Sequence, residues 1–366
     1  MSNFIPITKP WLIDEDINAV SDVLKTGMLV QGQEVEKLEI AVADYLNVKQ
    51  VIAVSNGTAT MHIMLKVLGI GPGDEVIVPA FSYVATANVV ELVGATPVFV
   101  DIDINTFNID TKLIEQKITP RTKAILAVHE FGLAANAKEI NNICKKHNLF
   151  FLEDAACALG ASIENKKTGS FGQSASFSLH PRKAITSGEG GLISTNDEEF
   201  AYKCRILRNH GVDVTKGKTG FVEAGFNYRM TDFQAALVAS QFNRFEEILS
   251  KKNEIAAHYF SEIKNSKVIL PHIPQGYTHS LQSFHLLLEG ITQNEAIEKL
   301  KLLGVGANYG AQCIPEVIYY KNKYGYNSKT DFPNALKAFD QGLVIPLFPQ
   351  MQQEEINKVI SAINQL

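Results

Sequence analysis

Through the first two thirds of the chain, short apolar runs alternate with stretches whose apolar residues recur at helical spacing. Each run has about the length of a strand and is rich in Val, Ile or Phe. The runs are Val76–Pro79, Pro97–Asp101, Ala124–His129, Phe150–Asp154, Ala175–Leu179 and Gly191–Ser194. Between them, Ala135–Asn148 carries Ile140, Ile143 and Cys144 at helical spacing and ends in basic residues. This alternation predicts an α/β domain with a mostly parallel sheet.

From about Leu249 the pattern changes, which predicts a domain at 1–249 and a smaller α+β domain at 250–366. The second part has a polar helix, a weaker strand, another helix, a long irregular stretch and a final helix. The helices and the strand are Ser250–Ile263, His285–Leu288, Glu295–Leu303 and Gln353–Leu366. The pattern leaves open whether the first dozen residues pack on this smaller domain.

Composition narrows the possible functions. The 366 residues are 46% hydrophobic, with a net charge of -5 and no Lys/Arg-rich run, which argues against nucleic-acid binding. The four cysteines are too widely spaced for a zinc site or a disulfide framework, so we expect no metal. Residues Met1–Pro6 lack a signal-peptide pattern and no run of 18 apolar residues occurs. We therefore expect a cytoplasmic protein without a membrane segment.

Two charged residues stand at the ends of neighbouring strands. Asp154 ends Phe150–Asp154, and Lys183 follows the next predicted strand after a tight turn at residues 180–182. Ligands of parallel sheets bind at the carboxyl ends of the strands, so both side chains should lie at that edge. Taken singly, each residue is at least as typical of a solvated surface position.

The segment Ser55–Thr60 opens the apolar helix Met61–Leu68. Free backbone N–H groups at a helix start bind phosphate, although a plain helix cap explains the segment equally well by itself. Together with Asp154 and Lys183 it completes a set that suits pyridoxal 5'-phosphate. This cofactor requires a lysine for its aldehyde, a carboxylate for its ring nitrogen and an anion site for its phosphate. The lysine then also carries protons during the reaction.

At these residues the sequence resembles the DegT/DnrJ/EryC1/StrS family of sugar aminotransferases. The resemblance covers nearly the whole chain and rests on several long stretches in the right order. They are Ser55–Ala59, Gly71–Pro79, Gly94–Asp101, Glu153–Ala156, Phe177–Lys183, Gly188–Gly191 and Gly225–Asp232. It implies the fold type I aminotransferase architecture, with a mostly parallel seven-stranded sheet and a smaller α+β C-terminal domain. It also implies a homodimer whose active sites are shared between the subunits.

The resemblance assigns roles to individual residues. Lys183 would form the Schiff base with the cofactor, and Asp154 would face its pyridinium nitrogen. The phosphate would be held at the helix start and by a serine near Lys183, namely by Gly57, Thr58, Ala59 and Ser178. Asn227 would reach the phosphate bound by the neighbouring subunit, and Tyr83 would stack on the cofactor ring.

Two departures from the family pattern bear on the substrate and on the cofactor ring. Cys157 stands where the family often has Gln or His, a residue that contacts the phenolic oxygen or the ring face, and Cys is a weak hydrogen-bonding group. Gly306–Cys313 replaces a segment with His and Tyr that binds substrate in many relatives. Our candidate substrate-binding residues are His180, Arg229, Asn308 and Tyr309. Arg229 suits an anionic group, but a structural ion pair explains it equally well.

We therefore expect transfer of an amino group, from L-glutamate, to a keto-deoxy sugar nucleotide for cell-surface polysaccharide such as O-antigen. A 4-keto sugar is favoured over a 3-keto sugar. A sugar dehydratase, an aminotransferase for a smaller phosphorylated ketone and a regulatory protein remain as alternatives. The best-known dehydratases of the family have His in place of the lysine, so Lys183 favours amino transfer. The sequence leaves open which sugar, carbon and nucleotide are used.

Overall fold

The computed structural model describes residues 4–366. The question whether the first dozen residues pack on the smaller domain therefore falls partly outside the described residues. Its main sheet has seven strands. In chain order these are β1 (Gln50–Val54), β2 (Glu75–Pro79), β3 (Thr96–Val100), β4 (Thr122–Val128), β5 (Phe150–Asp154), β6 (Ser174–Ser178) and β7 (Gly191–Thr195). All six apolar runs of the sequence form strands of this sheet.

The strand order across the sheet is β1-β7-β6-β5-β4-β2-β3. Among the described residues, β7 runs antiparallel to its neighbours β1 and β6, and the other paired strands are parallel. The expected mostly parallel sheet is thus confirmed. Val128 pairs with Asp154, and Asp154 pairs with Ser176. The carboxyl ends of β4, β5 and β6 therefore lie side by side at one edge.

Both faces of the sheet are buried, which explains why its strands read as continuous apolar runs. Alternate residues of β4 belong to different hydrophobic clusters, with Leu126 on one face and Ile125 on the other. The helices in this part of the chain are α1 (Asp14–Thr26), α2 (Gln33–Leu46), α3 (Gly57–Val67), α4 (Ala85–Leu92), α5 (Ala137–His147), α6 (Glu198–Arg208) and α7 (Asp232–Phe242). Of these, α5 buries Ile140 and Ile143 against the sheet, as its spacing predicts.

The C-terminal part is an α+β unit around a three-stranded antiparallel sheet. Its strands are β8 (Val268–Ile269), β9 (Phe284–Leu288) and β10 (Gly342–Ile345). Its helices are α8 (Phe245–Glu262), α9 (Gln293–Leu302), α10 (Ile318–Tyr324), α11 (Ser328–Asp331), α12 (Pro333–Gln341) and α13 (Gln353–Asn364). The expectation of a long irregular stretch after α9 was wrong, because α10 to α12 and β10 lie there.

Helix α8 links the two parts, since Ile248 packs in a cluster of the large sheet and Tyr259 in the C-terminal cluster. The limits 1–249 and 250–366 stay a prediction, and the boundary between them falls inside this helix. Near the N-terminus, Ile5 is buried in the C-terminal cluster and its N–H donates to the Gly304 carbonyl at 2.9 Å. In residues 4–366, no helix combines the length and apolar character that a membrane span needs.

Candidate active site

Asp154 lies buried at the carboxyl end of β5, with 4% of its surface exposed. Its Oδ2 accepts a hydrogen bond from the Thr86 hydroxyl at 2.7 Å, and its Oδ1 accepts one from the Ala156 N–H at 3.2 Å. Burial raises the pKa of Asp154, while the hydrogen bonds and the positive charge of Lys183 act in the opposite direction. The carboxyl group is therefore a buried acceptor that a cation would hold in its ionised form.

A second buried carboxylate fixes the end of β5. Glu153 accepts hydrogen bonds at 2.8 Å from the N–H groups of residues 169, 171 and 172. It also lies 2.9 Å from Nε2 of His129, while Nδ1 of His129 accepts from the Ala135 N–H at 2.9 Å. This arrangement requires the proton of the neutral imidazole on Nε2, which donates to Glu153. The network holds the ends of β4 and β5 together and so orients Asp154.

Lys183 follows β6 in a turn closed by its N–H, which donates to the His180 carbonyl at 2.8 Å. Its Nζ donates to Sγ of Cys157 at 3.0 Å. Both side chains line one cleft together with Ser178, Ser280 and Gln282. Burial raises the pKa of the Cys157 thiol, which therefore stays protonated at neutral pH. Because Cys157 follows the end of β5 by three residues, this contact brings the amine of Lys183 to the same sheet edge as Asp154.

The start of α3 presents backbone amides next to Ser178. Asn56 caps this helix by accepting from the Ala59 N–H at 2.8 Å, so that amide is already used. The predicted role of Ala59 is therefore not supported by its backbone amide. The N–H groups of Gly57 and Thr58 make no hydrogen bond within residues 4–366. A Cβ on residue 57 would come within 3.0 Å of the Ser178 Cβ, so glycine keeps this approach open.

Other predicted residues lie on exposed or partly exposed segments. Tyr83 directly follows the short strand Phe81–Ser82 and is 64% exposed, so its ring is available to a ligand. Asn227 is exposed and its backbone pairs with Asn209. Arg229 donates to the Asn209 side chain at 2.5 Å and forms no ion pair in residues 4–366, so the structural ion pair considered for it is absent there.

The remaining substrate candidates are held by local hydrogen bonds. His180 accepts at Nδ1 from the Arg182 N–H at 3.2 Å, and burial lowers the pKa of its imidazole. Asn308 pairs with Val344 of β10, and its side chain accepts from the Gly310 N–H at 2.9 Å. Tyr309 is exposed. Three residues later, Gln312–Cys313 pairs antiparallel with Phe81–Ser82, which brings this C-terminal segment alongside the strand that precedes Tyr83.

The structure adds three buried residues that sequence reasoning missed. Thr86 lies in an apolar helix, and nothing in the sequence links it to Asp154. Lys252 resembles the other polar positions of α8, yet burial lowers the pKa of its amine to about 7, and the positive charge of Lys183 acts in the same direction. Glu130 comes just after β4, as Asp154 ends β5. Its position after a predicted strand could therefore have identified it as a candidate residue of the same sheet edge. Its carboxyl is near Asp154 and Lys183.

These residues fit pyridoxal 5'-phosphate. A buried carboxylate, a primary amine and two unused helix-start amides stand at one edge of the sheet, and the missing side chain of Gly57 leaves room for a phosphate beside Ser178. The arrangement can hold an aldehyde, a ring nitrogen and a phosphate of the same molecule. The reactive amine then has a hydrogen-bond partner, Cys157, within its own cleft.

Comparison with known proteins gives consistent matches over the full chain. The family model described as the DegT/DnrJ/EryC1/StrS aminotransferase family matches residues 10–364. GDP-perosamine synthase of Caulobacter vibrioides is 37% identical over 99% of this chain and 98% of that protein. The UDP-4-amino-4-deoxy-L-arabinose–oxoglutarate aminotransferase of Shewanella sediminis is 35% identical, over 100% of this chain and 99% of that protein. The PLP form of Spr1654 from Streptococcus pneumoniae superimposes with a TM-score of 0.94 at 29% identity, covering 99% and 98% of the two chains.

Proposed function

Because the chain belongs to the DegT/DnrJ/EryC1/StrS aminotransferase family and is a pyridoxal 5'-phosphate-dependent sugar aminotransferase, we propose that it aminates a keto-deoxy sugar carried by a nucleotide. The proposed amino donor is L-glutamate, and a 4-keto sugar is favoured over a 3-keto sugar. The observation that carries the proposal is the meeting of Lys183, Asp154 and the start of α3 at one sheet edge. Use of the product in a cell-surface polysaccharide stays a prediction.

Each of the proposed cofactor residues has a separate task. When bound, the cofactor supplies an aldehyde and a protonated ring that accepts electrons. Asp154 keeps the ring nitrogen protonated, and Thr86 holds the carboxylate in place from 2.7 Å. The amides of Gly57 and Thr58 bind the phosphate at the positive end of α3. Lys183 would hold the aldehyde, and its Nζ would carry protons during the reaction.

The relatives support the finer parts of this proposal. The names of two of them specify a GDP-linked and a UDP-linked amino sugar, and one also specifies oxoglutarate. Oxoglutarate is the keto acid that L-glutamate becomes when it gives up its amine. The dehydratase alternative is disfavoured because this chain has a lysine, Lys183, where the best-known dehydratases of the family have His. The alternative of a smaller phosphorylated ketone differs only in the acceptor and is decided by assay.

Purified protein with added cofactor, L-glutamate and a set of keto nucleotide sugars, analysed by mass spectrometry, tests the proposal. We expect an amino sugar and stoichiometric 2-oxoglutarate. Lys183→Ala should abolish both products, whereas Lys166→Ala, at an exposed lysine, should retain them. A deoxygenated sugar without amine would support the dehydratase instead. A higher kcat/KM on a small phosphorylated ketone would overturn the assignment of the acceptor, and turnover by Lys183→Ala would overturn that of the lysine.

We further propose that two copies of the chain share their active sites. Exposed apolar side chains flank the segment 225–232 on both sides, with Met28 70% exposed and Phe221 67% exposed. Met28 lies near α7 because the Asp232 N–H donates to the carbonyl of the next residue, Leu29. Phe221 lies near Asn227 because it pairs with residue 212, three residues after the residue that pairs with Asn227. Such exposed apolar groups are typical of a subunit interface. Asn227 is exposed in this segment, and we propose that it serves the partner's phosphate.

Mixing two inactive variants tests the shared site. In a mixed dimer of Lys183→Ala and Asn227→Ala subunits, both lesions fall in one site and the other site is intact. We expect activity to return to up to about half of the wild-type value per mixed dimer once the subunits exchange. If mass spectrometry confirms exchange and no activity returns, Asn227 does not serve the partner subunit.

A further inference from the structure

Glu130 is a buried carboxyl group beside the proposed cofactor site. It follows β4 by two residues, and Val128 of β4 pairs with Asp154 of β5. Its surface is 5% exposed, and its Oε2 makes no hydrogen bond within residues 4–366. The charges of Asp154 and Lys183 both act on it, which places it close to them. Since an unpaired buried carboxyl oxygen is costly, this oxygen indicates a partner that binds there.

The surroundings keep this carboxyl group protonated. Burial, together with the neighbouring Asp154 carboxylate, raises the pKa of Glu130 to about 8. Lys183, the Ser82 hydroxyl and the Phe131 N–H act in the opposite direction with smaller effect. At neutral pH the group is therefore mainly a neutral acid with an O–H to donate.

The order of the strands places Glu130 on one particular side of a bound cofactor ring. The ring nitrogen of pyridoxal phosphate lies opposite the carbon that carries the aldehyde, the phosphate arm is attached on one side, and the hydroxyl on the other. The ring nitrogen would face Asp154, at the end of β5. The protein groups proposed to bind the phosphate, at the start of α3 and at Ser178, lie on the β6 side of β5. Glu130 lies on the β4 side. The side of the ring that remains for Glu130 is the one with the hydroxyl.

We propose that Glu130 donates a hydrogen bond to the phenolic oxygen of the bound cofactor. This proposal rests on the proposed function. Glu130 would be a stronger donor to this oxygen than the thiol of Cys157, a weak hydrogen-bonding group at the position that contacts this oxygen or the ring face in the family. Negative charge on the phenolic oxygen stabilises a proton on the nitrogen that joins Lys183 to the cofactor. A hydrogen bond donated by Glu130 withdraws part of that charge. Glu130 therefore lowers the pKa of that nitrogen and acts as a residue that tunes the cofactor.

Absorbance titration of the cofactor-loaded protein against pH tests this role without measuring turnover. The bound cofactor changes colour when the nitrogen at Lys183 loses its proton. Glu130→Leu removes the donor and should raise the titration midpoint by about one pH unit, the size expected for a hydrogen bond to a charged group. Glu130→Gln keeps an N–H donor of similar shape and should stay nearer to the wild type. Cys157→Ala, in the same cleft, should shift the midpoint less than Glu130→Leu.

The outcomes separate this inference from the proposed function. If Glu130→Leu titrates like the wild type, or if Cys157→Ala accounts for the whole shift, the inference is wrong even though the protein binds cofactor and aminates sugars. If the wild type shows no cofactor band that depends on Lys183, the proposed function fails instead.

A second measurement covers the case in which Glu130→Leu does not fold. The wild-type titration should be broadened by the coupled Glu130 carboxyl, whereas Glu130→Gln should give a single-proton curve. Equal breadth in both proteins would overturn the inference.

Discussion

Thr86→Val removes the hydroxyl that donates to Asp154 at 2.7 Å while keeping the shape of the side chain. Thr86 is buried, so water cannot replace the lost donor. Burial already raises the pKa of Asp154, and without Thr86 it rises further. The ionised carboxylate is then less available to the protonated ring nitrogen of the cofactor. Thr86 thus acts through Asp154 and positions its charge.

The size of the effect follows from the type of hydrogen bond. A bond to a charged group contributes about 1.5–3 kcal/mol, and 1.36 kcal/mol corresponds to about tenfold in a rate or equilibrium constant. We therefore expect cofactor affinity and kcat together to fall roughly 10- to 100-fold in Thr86→Val. Equilibrium dialysis of the cofactor and steady-state kinetics at saturating cofactor separate the two contributions.

Thr86→Ser is the matched control, because it keeps the donor and removes only a methyl group. It should retain kcat within a factor of a few, and thermal unfolding should place both variants within several degrees of the wild type. The reasoning is refuted if Thr86→Val matches Thr86→Ser in kcat and cofactor affinity. It is equally refuted if the loss of activity follows the loss of folded protein.

Three further predictions concern other residues of the structure. Asp154→Asn should leave the melting temperature nearly unchanged and reduce kcat by at least about 10²-fold, since a neutral amide cannot hold the ring proton, and unchanged kinetics would contradict this role. Tyr83→Ala should release cofactor faster than Tyr83→Phe in a dilution assay, because stacking requires the ring and not the hydroxyl; equal release would point to the hydroxyl. Burial raises the pKa of Asp16, but hydrogen bonds from Arg244, Ser240 and the Ile13 N–H bring it below its ordinary value of 3.8. Its contribution to stability is therefore present above that value and is lost as the pH falls through the lower folded-state pKa. Asp16→Asn should accordingly reduce the loss of unfolding free energy at acid pH, measured by urea unfolding at a series of pH values. An unchanged dependence on pH would exclude this role.

The local pattern of the sequence was enough to predict six of the seven strands of the large sheet and the chain positions of Asp154 and Lys183 relative to them. Strands buried on both faces appear as continuous apolar runs, and in parallel strands the carboxyl ends meet at one edge. Asp154 and Lys183 follow such runs, so their positions on the sheet could be inferred before any contact was known. The helix that follows Ser55–Thr60 could also be predicted, because a cap and the helix it starts are neighbours in sequence, although α3 begins at Gly57 and not at Met61.

Contacts between distant segments were decided only by the tertiary structure. Thr86 is 68 residues from Asp154, and its hydroxyl meets the carboxylate because α4 packs beside the end of β5. The pairing of Gln312–Cys313 with Phe81–Ser82 joins the two parts of the chain through strands of two residues, too short to leave a periodic signal. The protonation of Glu130 depends on burial and on its spatial neighbours, neither of which a local pattern contains. The sequence therefore determined which groups stand at the sheet edge, and the packing determined which partners set their charge.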